Sequence, residues 1–152
     1  MSSQFLGLTV PNFIAPMTGD KDFKLSDYSD QNVVLYFYPK DNTPGCTNES
    51  IQFNELFEAF DKKSCVIFGI SRDSLKSHEN FKGKFNFKFE LISDSDEAVC
   101  KMFDVIKMKN MYGKQVRGIE RSTFLIGKDG KVKREWRKVK VPDHAADVLA
   151  SI

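Results

Sequence analysis

Residues 33–49 read Val33-Val34-Leu35-Tyr36-Phe37-Tyr38-Pro39-Lys40-Asp41-Asn42-Thr43-Pro44-Gly45-Cys46-Thr47-Asn48-Glu49. The first six residues form an almost continuous apolar run, the pattern of a strand buried on both faces. Pro39 lacks the backbone donor that a ladder needs and ends the run. Thr43-Pro44 is a helix-start signal, with Thr as N-cap and Pro as first helical residue. Cys46 therefore falls in the first helical turn. There, free N–H groups and the positive end of the helix dipole favour a thiolate, the nucleophilic form of cysteine. Most free cysteines are small buried hydrophobes. The neighbours Gly45, Thr47 and Asn48 do not make a core pattern, and they set Cys46 apart as a reactive candidate.

Outward from this segment, the periodicity changes. Phe53, Leu56, Phe57 and Phe60 fall at i, i+3, i+4 and i+7, the stripe of one amphipathic helix running from Cys46 to Asp61. Residues 65–70, Cys-Val-Ile-Phe-Gly-Ile, form a second buried strand. This strand-helix-strand order implies parallel strands joined by a right-handed crossover. A helix from Ser74 to Lys84 follows, then a strand from Phe89 to Ile92, a short helix from Ser95 to Phe103 and a long loop over 104–118. Ser122 to Ile126 and Lys131 to Trp136 form a hairpin around Asp129-Gly130. Pro142 to Ile152 close the chain as a helix. Upstream, residues 12–16 and 22–25 form a short hairpin. The layout is that of an α/β, thioredoxin-like fold: a mixed sheet with helices on both faces and an N-terminal hairpin extension. One domain over residues 1–152 is expected.

Composition excludes several classes of function. The chain has 23 basic and 21 acidic residues, a net charge of +2, too balanced for a nucleic-acid or anionic-membrane binder. The basic stretch Lys128 to Lys140 is interleaved with Val132, Trp136 and Val139 and reads as the solvated face of a strand pair. No apolar run approaches the roughly 18 residues of a membrane span. Met1 to Phe5 lack the features of a signal peptide. Three cysteines, an odd number, in a chain of 152 residues point to reduced thiols and a cytoplasmic location. His78 and His144 lie far apart, without ligand spacing, and read as solvated; no metal site is expected.

The run Phe37 to Glu49 closely resembles the active-site motif of the peroxiredoxins, in the form found in the bacterioferritin comigratory protein or peroxiredoxin Q subgroup. Leu91 to Asp94, Met111 to Lys114, Gly118 to Ile126 and Trp136 to Val141 match the same subgroup, so the resemblance spans nearly the whole chain. It implies a thiol peroxidase that reduces hydrogen peroxide and organic hydroperoxides without a cofactor. Cys46 would be the peroxidatic residue, oxidised to a sulfenic acid. Thr43 would offer its hydroxyl to sulfur or peroxide. The N–H groups of Gly45 and Cys46 would point to the same place. Arg121 would hold the thiolate and orient the peroxide, Pro39 would shield the site, and Glu49 would orient the arginine. Phe37, Met111 and Tyr112 are the expected pocket walls.

Many subgroup members carry a resolving cysteine five residues after the first, where this chain has Ile51, or on the following helix, which here has none. Cys65 and Cys100 read as core residues, and neither stands in a Cys-x-x-Cys pair with Cys46. A one-cysteine mechanism is expected, with glutathione, glutaredoxin or thioredoxin as the external thiol, in a monomer. The alternatives are a two-cysteine enzyme resolved by Cys100, a disulfide reductase, and a non-catalytic binding or chaperone module on the same fold.

Overall fold

The computed structural model describes residues 5–152, together with the backbone but not the side chain of Met111. The expectation drawn from Met1 to Phe5 therefore lies mostly outside the described residues. The chain folds in the order β1 (Ile14–Met17), β2 (Lys21–Lys24), β3 (Asn32–Phe37), α1 (Pro44–Glu55), α2 (Phe57–Lys62), β4 (Cys65–Ser71), α3 (Leu75–Phe85), β5 (Glu90–Ser93), α4 (Ala98–Met102), β6 (Ile106–Met111), β7 (Lys114–Ile119), β8 (Ser122–Ile126), β9 (Val132–Trp136) and α5 (His144–Ala150).

Seven strands form one mixed sheet in the order β2-β1-β5-β4-β3-β8-β9. The centre is parallel, with β3 against β4 and β4 against β5, as two helical crossovers require. β8 and β1 close onto it antiparallel. Strand alternation separates two interiors. Val33, Leu35 and Phe37 face one, with Phe103, Phe124 and Cys100 of α4. Val34, Tyr36 and Tyr38 face the other, with Phe53, Phe60, Cys46 and Cys65 beneath α1, α2, α3 and α5. The central strands are buried on both faces, so they read as continuous apolar runs. Burying each of these Phe and Tyr rings stabilises the fold by about 2–3 kcal/mol. Gly69 in β4 is required by close approach, since a Cβ there would lie 2.8 Å from the ring of Tyr36.

Three expectations change. The segment 104–118 is not a loop. It forms the β6–β7 hairpin, a separate two-stranded sheet turning at Tyr112 (φ 53°) and Gly113 (φ 80°). Positive φ at both central residues marks a type I′ turn, whose twist suits a two-residue hairpin. The helix expected over Cys46 to Asp61 breaks at Leu56 into α1 and α2. The histidines are not solvated. His78 is fully buried, and His144 is buried against Thr123, whose Oγ1 lies 2.8 Å from Nε2. The basic stretch is exposed at Lys128, Lys131, Lys133, Arg134, Lys138 and Lys140, as expected. No helix among the described residues is long and apolar enough to cross a membrane.

Candidate active site

β3 delivers the chain to Pro39, and the next four residues turn it into α1. Thr43 occupies the N-cap position with extended backbone (φ −96°, ψ 156°), and Pro44 opens the helix. Cys46 lies one turn in, 1% exposed, under the second core. The Thr43 carbonyl accepts the Thr47 N–H at 2.8 Å. The Thr43 hydroxyl does not cap the helix as its position suggests. It donates to the Lys40 carbonyl at 2.8 Å, which folds the Lys40–Thr43 segment on itself. Its lone pairs stay available as acceptors.

Arg121 arrives from the other side of the sequence, in the short link between β7 and β8. Its Nη2 donates to Cys46 Sγ at 3.4 Å and its Nη1 donates to Glu49 Oε1 at 2.7 Å. One planar fork thus engages both a sulfur and a carboxylate, a task suited to guanidinium. Glu49 sits one turn after Cys46 on α1 and is fully buried. Burial pushes its carboxyl up to about 7, against the pull of the Arg121 cation. Its Oε2 has no hydrogen-bond partner among the described residues. Burial disfavours the Arg121 cation, but Glu49 and Cys46 outweigh it and raise its pKa. Gly45 is part of this geometry, because a Cβ at that position would lie 3.2 Å from Arg121 Nη2.

The structure thus brings together Cys46, Arg121, Glu49 and Gly45, with Thr43 and Pro39 on the adjoining loop. It does not bring the expected walls. Phe37 is buried in the first core, on the other face of the sheet, and Tyr112 is 100% exposed at the hairpin tip. The Met111 side chain lies outside the described residues. The sequence reading missed Lys109. This β6 residue is half-buried and senses the charges of both Arg121 and Cys46; burial and the arginine push its ammonium down. Strand alternation in β6 would have revealed it, had 106–119 been read as a hairpin.

The other cysteines are set differently. Burial pushes the Cys65 thiol up to about 12, and burial with the neighbouring Asp94 pushes Cys100 up as well. Cys100 belongs to the first core and Cys46 to the second, with the sheet between them. All three are free thiols.

Residues 6–135 match the AhpC/TSA family. The chain is 53% identical to peroxiredoxin Bcp of Xanthomonas campestris pv. campestris, covering 100% of this chain and 96% of that protein. The chain belongs to this peroxiredoxin family. Among solved structures, a mutant of Xylella fastidiosa PrxQ superposes on this peroxiredoxin with a TM-score of 0.93 at 49% identity, covering 99% of this chain and 96% of that one. The bacterioferritin comigratory protein of X. campestris, solved in work on its alkyl peroxide reduction, gives a TM-score of 0.87 at 54% identity, covering 91% and 88%. The thioredoxin-like fold and the resemblance carried by Phe37 to Glu49 are both borne out. The peroxiredoxin is a thiol-dependent peroxidase.

Proposed function

We propose that Cys46 is the peroxidatic residue and that the cycle needs no second cysteine of this chain. The observation that carries the reading is the Arg121 fork, with one amino group 3.4 Å from Cys46 Sγ and the other on Glu49. A cation at that distance favours the anionic sulfur. The thiolate attacks the terminal oxygen of the hydroperoxide and the O–O bond breaks. The electron pair leaves with the distal oxygen, which takes a proton to become water or an alcohol. Sulfur is oxidised to the sulfenic acid while the peroxide is reduced.

Charge develops on two oxygens during this step, and donors fixed in a dry site stabilise it most. Arg121 supplies them without reorganisation, because Glu49 holds its fork in place. Thr43 accepts the hydroperoxide O–H, since its own hydrogen is committed to Lys40. Pro39 borders the loop and limits water. Alkyl hydroperoxides belong in the substrate class alongside hydrogen peroxide; the X. campestris relative named for alkyl peroxide reduction supports this.

An external thiol then attacks the oxidised sulfur, releasing water and leaving a mixed disulfide. A second external thiol attacks that disulfide and returns Cys46 as the thiolate, so two thiols are oxidised per peroxide. Glutathione, glutaredoxin or thioredoxin fits the role. The separate cores of Cys46 and Cys100 support this one-cysteine reading, as a disulfide needs Cα atoms within about 7 Å. The three free thiols fit a reducing, cytoplasmic setting.

The test is intact-mass and peptide analysis after one equivalent of peroxide without added thiol. A single added oxygen at Cys46, absent from Cys46→Ser, is expected. Loss of two hydrogens mapped to Cys46–Cys100 would overturn the one-cysteine cycle, and full peroxidase activity in Cys46→Ser would overturn the assignment itself.

A further inference from the structure

The buried cluster around His78 on α3 has no part in the chemistry described above, yet it grips the active-site loop. Asp41, in the turn between Pro39 and Thr43, is held from every side. Its Oδ1 accepts the Tyr38 hydroxyl at 2.6 Å, and its Oδ2 accepts the Ser77 hydroxyl at 2.8 Å. The same Oδ2 lies 2.6 Å from His78 Nδ1. The Asp41 N–H donates to Asp73 Oδ2 at 2.9 Å. One residue on, the Asn42 side-chain oxygen accepts from Lys84 Nζ at 3.1 Å.

His78 is itself fixed. Its Nε2 donates to the Ile92 carbonyl of β5 at 2.9 Å, and the ring is fully buried. A carbonyl only accepts, so Nε2 carries a hydrogen and Nδ1 is left to share one with Asp41. The imidazole therefore bridges the sheet to the loop that carries Thr43 and leads into Cys46.

Closure of that loop matters differently for the two half-reactions. Cys46 is 1% exposed. A small peroxide needs the arrangement seen here, with Arg121 on Cys46 Sγ and Thr43 at the start of α1. A thiol on a peptide or protein must reach the same sulfur in line, which needs the loop to yield. Because no cysteine stands on α3, nothing in the chemistry requires that helix itself to unwind.

We propose that His78 is a positioning residue. Through Asp41 it holds the Pro39–Thr43 loop shut over Cys46, and so sets the balance between oxidation by peroxide and reduction by an external thiol. The inference rests on Cys46 being the peroxidatic residue.

Two isosteric variants separate its links. In His78→Asn the amide nitrogen occupies the place of Nδ1 and keeps the Asp41 bond; in His78→Gln it occupies the place of Nε2 and keeps only the Ile92 bond. Rapid-quench mass spectrometry of the full chain measures both half-reactions, with hydrogen peroxide as oxidant and the peptide thiol glutathione as the probe reductant. For His78→Gln, oxidation about tenfold slower and sulfenic-acid reduction about tenfold faster are expected, the size of one lost strong hydrogen bond. His78→Asn restores both rates to near the wild-type values. Parallel loss of both rates, unchanged rates, or identical behaviour of the two variants would overturn the proposal. If His78→Gln does not fold, Ser77→Ala decides: it removes one tether from Asp41 and gives the same opposed shifts, about two- to threefold, and rates that stay unchanged or fall together refute the latch. A wild-type chain that forms no sulfenic acid at Cys46 would instead sink the peroxidatic assignment, and the latch with it, before any variant is compared.

Discussion

Arg121 Nη2 lies 3.4 Å from Cys46 Sγ, although the two residues are 75 positions apart and reach the site from a β7–β8 link and a helix N-terminus. The contact is made by one arm of a fork whose other arm is locked on Glu49. A point charge cannot reproduce both contacts. Arg121→Lys is expected to lower the second-order rate with hydrogen peroxide by about 10²-fold or more, the size of one lost preorganised donor. Stopped-flow oxidation of the reduced protein measures it, and a lysine variant within threefold of wild type would refute the role.

Gly45 is expected to tolerate no methyl group without cost to rate. Its Cβ would stand 3.2 Å from Arg121 Nη2 and push the fork off the sulfur. Gly45→Ala should slow oxidation about tenfold while leaving the melting temperature unchanged or slightly raised, because alanine favours helix. Normal kinetics in a stable alanine variant would show that the fork can shift freely.

Thiol reactivity should divide the three cysteines. With Cys65 pushed up to about 12 and Cys100 raised further by burial and Asp94, both stay protonated and enclosed. Iodoacetamide at pH 7 is expected to label Cys46 alone in the folded protein, and Cys100→Ala should keep full single-turnover peroxide oxidation. Peptide mapping checks both; preferential labelling of Cys65 or Cys100 would contradict the assignment.

Two buried groups should bend the stability–pH curve in opposite directions. Burial holds the folded Glu49 carboxyl up at about 7, above the ordinary carboxyl value of 4.5. Between those values the native state binds more protons than the unfolded chain, so this group's contribution falls as pH rises from about 4.5 to 7. His144 is pushed down to about 4 by burial, from 6.5. There the unfolded chain binds more protons, so its contribution is lost as pH falls from about 6.5 to 4. Each amounts to at most about 3 kcal/mol. Relative to wild type, His144→Gln should gain stability on acidification and Glu49→Gln should lose it. Urea unfolding at several pH values between 4 and 7.5 tests the signs; difference curves that run parallel would refute the linkage.

The strands β3 and β4 and the start of α1 are legible because local signals and tertiary burial agree there: the apolar runs at 33–38 and 65–70, with Pro39 ending the first and Thr43-Pro44 opening the helix, admit one reading. The β8–β9 hairpin was legible through Asp129-Gly130. The β6–β7 hairpin was not, because its strands are rich in lysine, only their Ile106 and Ile119 end packs into the first core, and Tyr112-Gly113 is a weaker turn signal than Asn-Gly. Cys46 stands out through the helix-start signal before it, while Arg121, Glu49 and the roles of Thr43 and Pro39 are legible only through the family resemblance. The Thr43–Lys40 bond, the steric role of Gly45 and the position of Lys109 depend on where the loop and the hairpin come to rest, which periodicity does not encode. His78 reads as solvated because it stands on a polar helix, and His144 because it lies near a helix start. Their burial follows from Asp41 and Thr123, partners that only the tertiary fold supplies.

The sheet that parts the two interiors bears on where the electrons come from. It sets Cys100 behind β3, away from Cys46, and on the one-cysteine cycle proposed above each turnover draws both electrons from solution. Peroxide clearance by this chain would therefore slow as the surrounding thiol supply is drained, tying its throughput to the reducing state of its surroundings.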